Sequence, residues 1–264
     1  MSRAPFTVRL AAACRDLGSA LCLGLDPTGC RDAAEVERFC TEMLEAALPE
    51  VVAVKPNLAF FEQHGSEGLR VLERVRGMVP ESRLLILDAK RGDIGSTAEA
   101  YARAAFDVWG ADAVTVNPLL GRDAVEPFLA RAGTAVLILA RTSNPGAVDF
   151  LEAPLRDGRP LYRLIVERAL DWSGAAQIGF VVGATSATAV SEVRGLAPAA
   201  PLLLPGIGAQ GGDLEAAVSA GLDATGGGII VPVSRGITGA ADPRAAAAEL
   251  RRRIEAVRAA TSRA

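Results

Sequence analysis

At 264 residues, with a net charge of −3, half of the residues hydrophobic and only 5% aromatic, the chain has the size of one large α/β domain with an aliphatic core. It has no basic stripe suited to nucleic acid, and no apolar run approaches the roughly 18 residues of a membrane span. Its four cysteines contain no C-x-x-C pair, which argues against a zinc or redox centre, and the expectation is a cytoplasmic protein with no membrane partner.

Met1 to Leu17 lacks a signal-peptide core and reads as a short amphipathic helix. Apolar strands then alternate with amphipathic helices. Strand Ala20–Asp26 precedes a helix over about Asp32–Leu48, and strand Val51–Lys55 precedes one over Glu62–Gly77. Strand Leu84–Lys90 leads to helix Ser96–Trp109, and strand Ala113–Asn117 to helix Arg122–Arg131. Strand Ala135–Thr142 is followed by the longest non-regular stretch, Ser143–Arg159, a candidate mobile loop, and then by helix Pro160–Trp172. Strand Gly179–Gly183 leads to helix Ala187–Leu196. Strand Pro201–Pro205 leads to helix Gly212–Ala220, and strand Gly228–Val233 to the last helix, Pro243–Ala259. Eight such units fit a (β/α)8 TIM barrel with a short N-terminal helix, one domain over 1–264, at the fold's typical size of about 250 residues. An open doubly wound sheet satisfies the same pattern, because strand order is not written in the sequence.

In a barrel of this kind the site lies at the C-terminal strand ends. Those ends carry Asp26, Lys55 with Asn57, Asp88 with Lys90 and Asp93, Asn117, Arg141 with Ser143 and Asn144, Pro205 through Gln210, and Ser234 with Arg235. The run Leu84-Leu-Ile-Leu-Asp88-Ala-Lys90 places Asp88 and Lys90 on one strand face with Ile86 and Leu84, an interior one. A carboxylate and an ammonium there are costly unless paired or used. One reading is an ion pair followed by a helix cap, with Ser96 and Glu99 as a capping box and Asp93 at the helix N-terminus. The other is a catalytic array. Of the 28 lysines and arginines only Lys55 and Lys90 are lysines, and both end apolar strands. An ammonium can give up a proton where a guanidinium cannot, which favours chemistry. The single histidine, His64, starts a helix, and without a G-x-S-x-G elbow nothing suggests a serine triad. Cys22 reads as core.

Gly206-Ile-Gly-Ala-Gln-Gly211 follows the seventh strand. It matches G-x-G-x-x-G, but in the seventh unit, and Asp223 comes only 12 rather than about 20 residues after Gly211. Glycines for a tight turn are one alternative. The other is a phosphate cradle, in which loop amides and a helix N-terminus meet an anion and Arg235 of the eighth loop supplies a guanidinium.

Together these residues resemble the orotidine 5′-phosphate decarboxylase family. Asp88-Ala-Lys90-Arg-Gly-Asp93-Ile94-Gly-Ser-Thr97 resembles its D-x-K-x-x-D-I-x-x-T signature. Leu25-Asp26-Pro27, Val54-Lys55-Pro56-Asn57, Thr142-Ser143-Asn144-Pro145-Gly146, the run Leu204–Gly212 and Ser234-Arg235-Gly236 resemble its other motifs, most closely those of the bacterial, expanded-chain, type 2-like subgroup. The resemblance implies decarboxylation of orotidine 5′-phosphate to UMP, the last step of de novo UMP synthesis, with no cofactor and no metal. By position, it implies that Lys90 protonates C6 while Asp88 and Asp93 flank the departing carboxylate. Asp26 and Lys55 bind ribose, and Lys55 also bridges Asp88. Ser143 reads the pyrimidine and Pro205 packs on its ring. Gln210 and Arg235 hold the phosphate, with Ser234 in the same loop as Arg235. It implies a homodimer in which Asp93, Ile94 and Thr97 act in the partner's site. Asn144 receives no role. A related group, the metal-dependent sugar-phosphate decarboxylases and synthases, shares D-x-K-x-x-D but needs a carboxylate near Lys55-Pro56-Asn57, a poor hard-cation set. A non-catalytic phosphate-binding barrel and a nicotinamide-dependent oxidoreductase are the remaining alternatives.

Overall fold

Eight short runs of branched aliphatic residues pair in chain order into a closed, all-parallel barrel. The structure, a computed structural model, describes residues 3–208 and 210–261. Met1 and Ser2 of the expected N-terminal helix and Ala209 of the glycine-rich loop lie outside the described residues. The order is α1 Phe6–Leu17, β1 Leu21–Leu25, α2 Ala33–Ala47, β2 Ala53–Pro56, α3 Ala59–Glu62, α4 Gly65–Met78, β3 Leu84–Arg91 and α5 Gly95–Arg103. After a π-helical turn, Ala104–Val108, come β4 Ala113–Val116, α6 Arg122–Leu129, β5 Ala135–Leu139, α7 Ala147–Phe150, α8 Leu161–Leu170 and β6 Gln177–Val181. The chain ends with α9 Ala187–Leu196, β7 Leu202–Leu203, α10 Leu214–Gly221, β8 Ile229–Val233, α11 Arg235–Thr238 and α12 Pro243–Thr261. β1 pairs with both β2 and β8, which closes the sheet and excludes the open doubly wound alternative. Every residue of β1, β2, β4 and β8 is buried, as expected where side chains fill the barrel and helices cover its outside.

Several elements depart from the sequence expectation for local reasons. The helix expected over Glu62–Gly77 is two helices, α3 and α4, separated at Gln63 and His64. Gly65, with φ 58°, takes a left-handed conformation that interrupts the helix. β7 is only two residues long because Pro201 and Pro205 bracket it and donate no N–H. The pairing continues one step further through Leu204 N–H to the Ile230 carbonyl at 2.9 Å.

The capping box expected at Ser96 and Glu99 does not form. α5 begins at Gly95, so Ser96 already lies inside the first turn, and the preceding Ile94 offers no side-chain cap. Glu99 is drawn instead to Arg131, with Nη2 to Oε1 at 2.6 Å. The stretch Ser143–Arg159 is also more ordered than expected. It contains α7, an antiparallel bridge between Pro154 and Pro160, and a Leu155 N–H to Arg159 carbonyl bond of 2.8 Å. Arg141 ties it down, donating to Glu152 Oε1 from Nε at 2.9 Å and to Thr185 from Nη1 at 2.7 Å. Among the described residues no helix is long and apolar enough to cross a membrane.

Candidate active site

Parallel pairing of β2 with β3 carries the two lysines to the same barrel end. Lys55 Nζ donates to Asp88 Oδ2 at 2.6 Å, and Lys90 Nζ donates to Asp88 Oδ1 at 2.5 Å. Lys55 is buried, whereas the Lys90 side chain is 49% exposed and faces open space. Burial opposes the charge on Lys55, but Asp88 and Asp26 overcome it, and its pKa lies above the usual lysine value. Burial would likewise raise Asp88, yet Lys55 and Lys90 outweigh it and hold this carboxyl well below the usual carboxylate range. The array is therefore one anion fixed between two cations, one buried and one presented outward.

These three residues line a cavity of about 490 Å³ at the C-terminal strand ends, a volume typical of small-ligand sites. Asp26, Ser143, Pro205, Gln210, Ser234 and Arg235 also line it. Thus nine of the twelve residues expected from the sequence meet in one chamber. Asp26 Oδ1 and Ser234 Oγ are buried there without a hydrogen-bond partner among the described residues. Buried polar atoms are rarely left so, and these are acceptors or donors that a polar ligand would satisfy.

The fifth and seventh loops meet at Gly206. A Cβ at this position would lie 2.8 Å from Ser143 Cβ and 2.9 Å from Gln210 Oε1, so only glycine, here at φ 102°, lets the loops touch. The positive end of α10, which the sequence suggested as part of an anion cradle, carries a carboxylate of its own. Asp213 caps it, accepting from Ala216 N–H at 3.0 Å, so the chain's own carboxylate already matches that dipole. Arg235 is different: no salt bridge or hydrogen bond engages its guanidinium among the described residues, and it faces the cavity. An anion held there would be met by this guanidinium.

Asp93, Ile94 and Thr97 do not line the cavity of their own chain. Asp93 Oδ1 accepts from the Ile94 N–H at 2.8 Å, and Ile94 is 56% exposed. Arg141 turns away to Glu152 and Thr185, and His64 lies outside the cavity. Cys22 is core, and burial pushes its thiol up to about 12. Among the described residues no three His, Cys, Asp or Glu side chains gather as metal ligands, and both oxygens of Asp88 already face ammonium groups.

The residue that sequence reasoning missed is Thr115, in β4. It is buried, lines the cavity and donates from Oγ1 to Asp88 Oδ1 at 3.2 Å. A threonine inside a strand is an ordinary β-former, so nothing in the sequence marks it.

The profile described as the orotidine 5′-phosphate decarboxylase / HUMPS family matches residues 19–250. A protein of Roseiflexus castenholzii named orotidine 5′-phosphate decarboxylase is 49% identical over 253 residues, covering 90% of this chain and 93% of that one. A like-named protein of a Roseiflexus sp. strain is 52% identical over 223 residues, covering 81% and 82%. Among solved structures, Leishmania donovani OMP decarboxylase superposes with a TM-score of 0.90 at 42% identity, covering 98% of this chain and 99% of the other. Leishmania donovani UMP synthase gives 0.92 at 44% identity, covering 97% of this chain and 57% of that longer one.

Proposed function

The chain belongs to the orotidine 5′-phosphate decarboxylase / HUMPS family, and from that premise we propose that its cavity decarboxylates orotidine 5′-phosphate to UMP with Lys90 as the proton donor. The observation that carries this reading is the Lys55–Asp88–Lys90 array in one chamber with Arg235, whose guanidinium has no partner among the described residues. The C6–carboxylate bond breaks with its electron pair left on C6, and carbon dioxide departs. That carbanion has no conjugated electron sink, so the site must stabilise it electrostatically. Lys90 supplies a positive charge and then its proton to C6, leaving a neutral amine that solvent reprotonates. Asp88, kept anionic, orients the Lys90 ammonium. Its like-charge contact with the substrate carboxylate ends as carbon dioxide leaves.

The remaining groups bind. Arg235 and Gln210 hold the phosphate, and Ser234, whose hydroxyl has no partner among the described residues, lies in the same chamber. Asp26 and Lys55 take the ribose hydroxyls. Ser143 reads the pyrimidine edge and Pro205 packs against the ring. Phosphate binding far from C6 supplies energy that can be used at the reacting carbon. Asp93, Ile94 and Thr97 complete the site of a second copy in a homodimer. Their position outside their own cavity, with an apolar Ile94 in solvent, supports this.

The sugar-phosphate branch of the family is the second reading, but Lys55 stands where that chemistry needs a carboxylate. The test is carbon dioxide release from orotidine 5′-phosphate with EDTA present. Undiminished turnover is expected, and activity that disappears on chelation overturns the reading.

A further inference from the structure

β3 does not run flat to its charged end. Leu87 pairs with Val114 and Arg91 with Val116, so β3 advances four residues while β4 advances two. Such a bulge leaves backbone N–H groups without ladder partners. Within it Lys90 has φ 46°, the one positive φ among the described non-glycine residues. A lysine has no intrinsic reason to adopt this conformation, so its surroundings must impose it.

Thr115 provides the missing partners. Its Oγ1 accepts from Ala89 N–H at 3.0 Å and from Lys90 N–H at 2.9 Å. A hydroxyl has two acceptor sites and one donor. Both acceptor sites are used, so its proton is directed to Asp88 Oδ1. One buried oxygen thus fixes the backbone of Lys90 and one oxygen of the carboxylate that Lys90 meets. Val114 and Val116 on either side could satisfy none of these bonds.

We infer that Thr115 is a positioning residue for the reaction: its hydroxyl holds the Ala89–Lys90 bulge and Asp88 so that the Lys90 ammonium is aimed at the reacting carbon. This inference rests on the decarboxylase reading above. The Thr115 hydroxyl bonds only Ala89, Lys90 and Asp88 among the described residues, so its loss should misdirect proton donation while leaving the phosphate and ribose contacts in place. Preorganised donors lose much of their effect when displaced by small distances.

The experiment compares the wild type with Thr115→Val, which keeps shape without the hydroxyl, and Thr115→Ser, which keeps the hydroxyl without the methyl. Turnover of orotidine 5′-phosphate, UMP affinity and thermal melting are measured on each full-length protein. The expected result is a fall in kcat of about 10- to 100-fold for Thr115→Val, with UMP affinity within about threefold, and a return to within about threefold of wild-type kcat for Thr115→Ser. The inference is overturned if Thr115→Val keeps wild-type kcat, if UMP affinity falls in parallel with kcat, or if Thr115→Ser is as impaired as Thr115→Val. A Thr115→Val protein that fails to fold makes the hydroxyl a folding determinant and also overturns it. A wild-type chain without orotidine 5′-phosphate turnover defeats the functional reading instead.

Discussion

Lys55 and Asp88 stand 33 residues apart in the chain and 2.6 Å apart in the barrel. Burial opposes both charges, and the pairing, with Asp26 on one side and Lys90 on the other, keeps both ionised. Replacing Asp88 by Ala removes the hydrogen-bonded countercharge of buried Lys55 and leaves it only the nearby charge of Asp26, at a cost of about 3–5 kcal/mol. The pH dependence follows from the two shifts. Asp88 is depressed below its ordinary 3.8, so its contribution is present above about pH 4 and is lost as pH falls below that. Lys55 is raised above 10.5, so its contribution is present below that pH and is lost only in stronger alkali. The melting-temperature gap between wild type and Asp88→Ala should therefore be flat through neutral pH and narrow in acid. A gap that is absent at pH 7, or that persists undiminished at pH 2, contradicts the assignment.

Arg235→Ala should act on binding. A hydrogen bond to a charged group contributes about 1.5–3 kcal/mol, which corresponds to roughly a 10- to 150-fold rise in KM for orotidine 5′-phosphate. Steady-state kinetics checks this, and an unchanged KM removes Arg235 from the phosphate site.

Asp93→Asn and Lys90→Ala should each be inactive alone yet complement each other. After subunit exchange in an equimolar mixture, a two-fold dimer with shared sites places an intact Lys90 beside an intact Asp93 in about one quarter of sites. Recovered activity near that level is the expected result. No recovery, with exchange verified, contradicts a shared site.

The fold was legible because parallel strands buried on both faces read as short aliphatic runs, and their C-terminal ends could be lined up without knowing their register. The two lysines that flank Asp88 were legible because lysine is so rare in this chain that Lys55 and Lys90 stood out. Strict strand alternation, however, could not reveal the bulge that curls Lys90 back to Asp88, since nothing in Asp88-Ala-Lys90 breaks the pattern. Thr115 was hidden for the same reason, as its role exists only once β4 lies beside that bulge. Ser96 and Glu99 had the spacing of a cap, but Arg131, 32 residues further on, competes for Glu99. The helix expected from Gly212 begins at Leu214, and Asp213 caps it, which shows only once the helix boundary is known.

The central claim is that Lys90 delivers the proton to C6. Lys90→Ala, which keeps Asp88 paired to Lys55, tests it by two readings on one protein: binding of UMP and release of carbon dioxide from orotidine 5′-phosphate. UMP binding close to wild type, with carbon dioxide release lowered at least 10³-fold, is the predicted result. Near-normal turnover by Lys90→Ala contradicts the account.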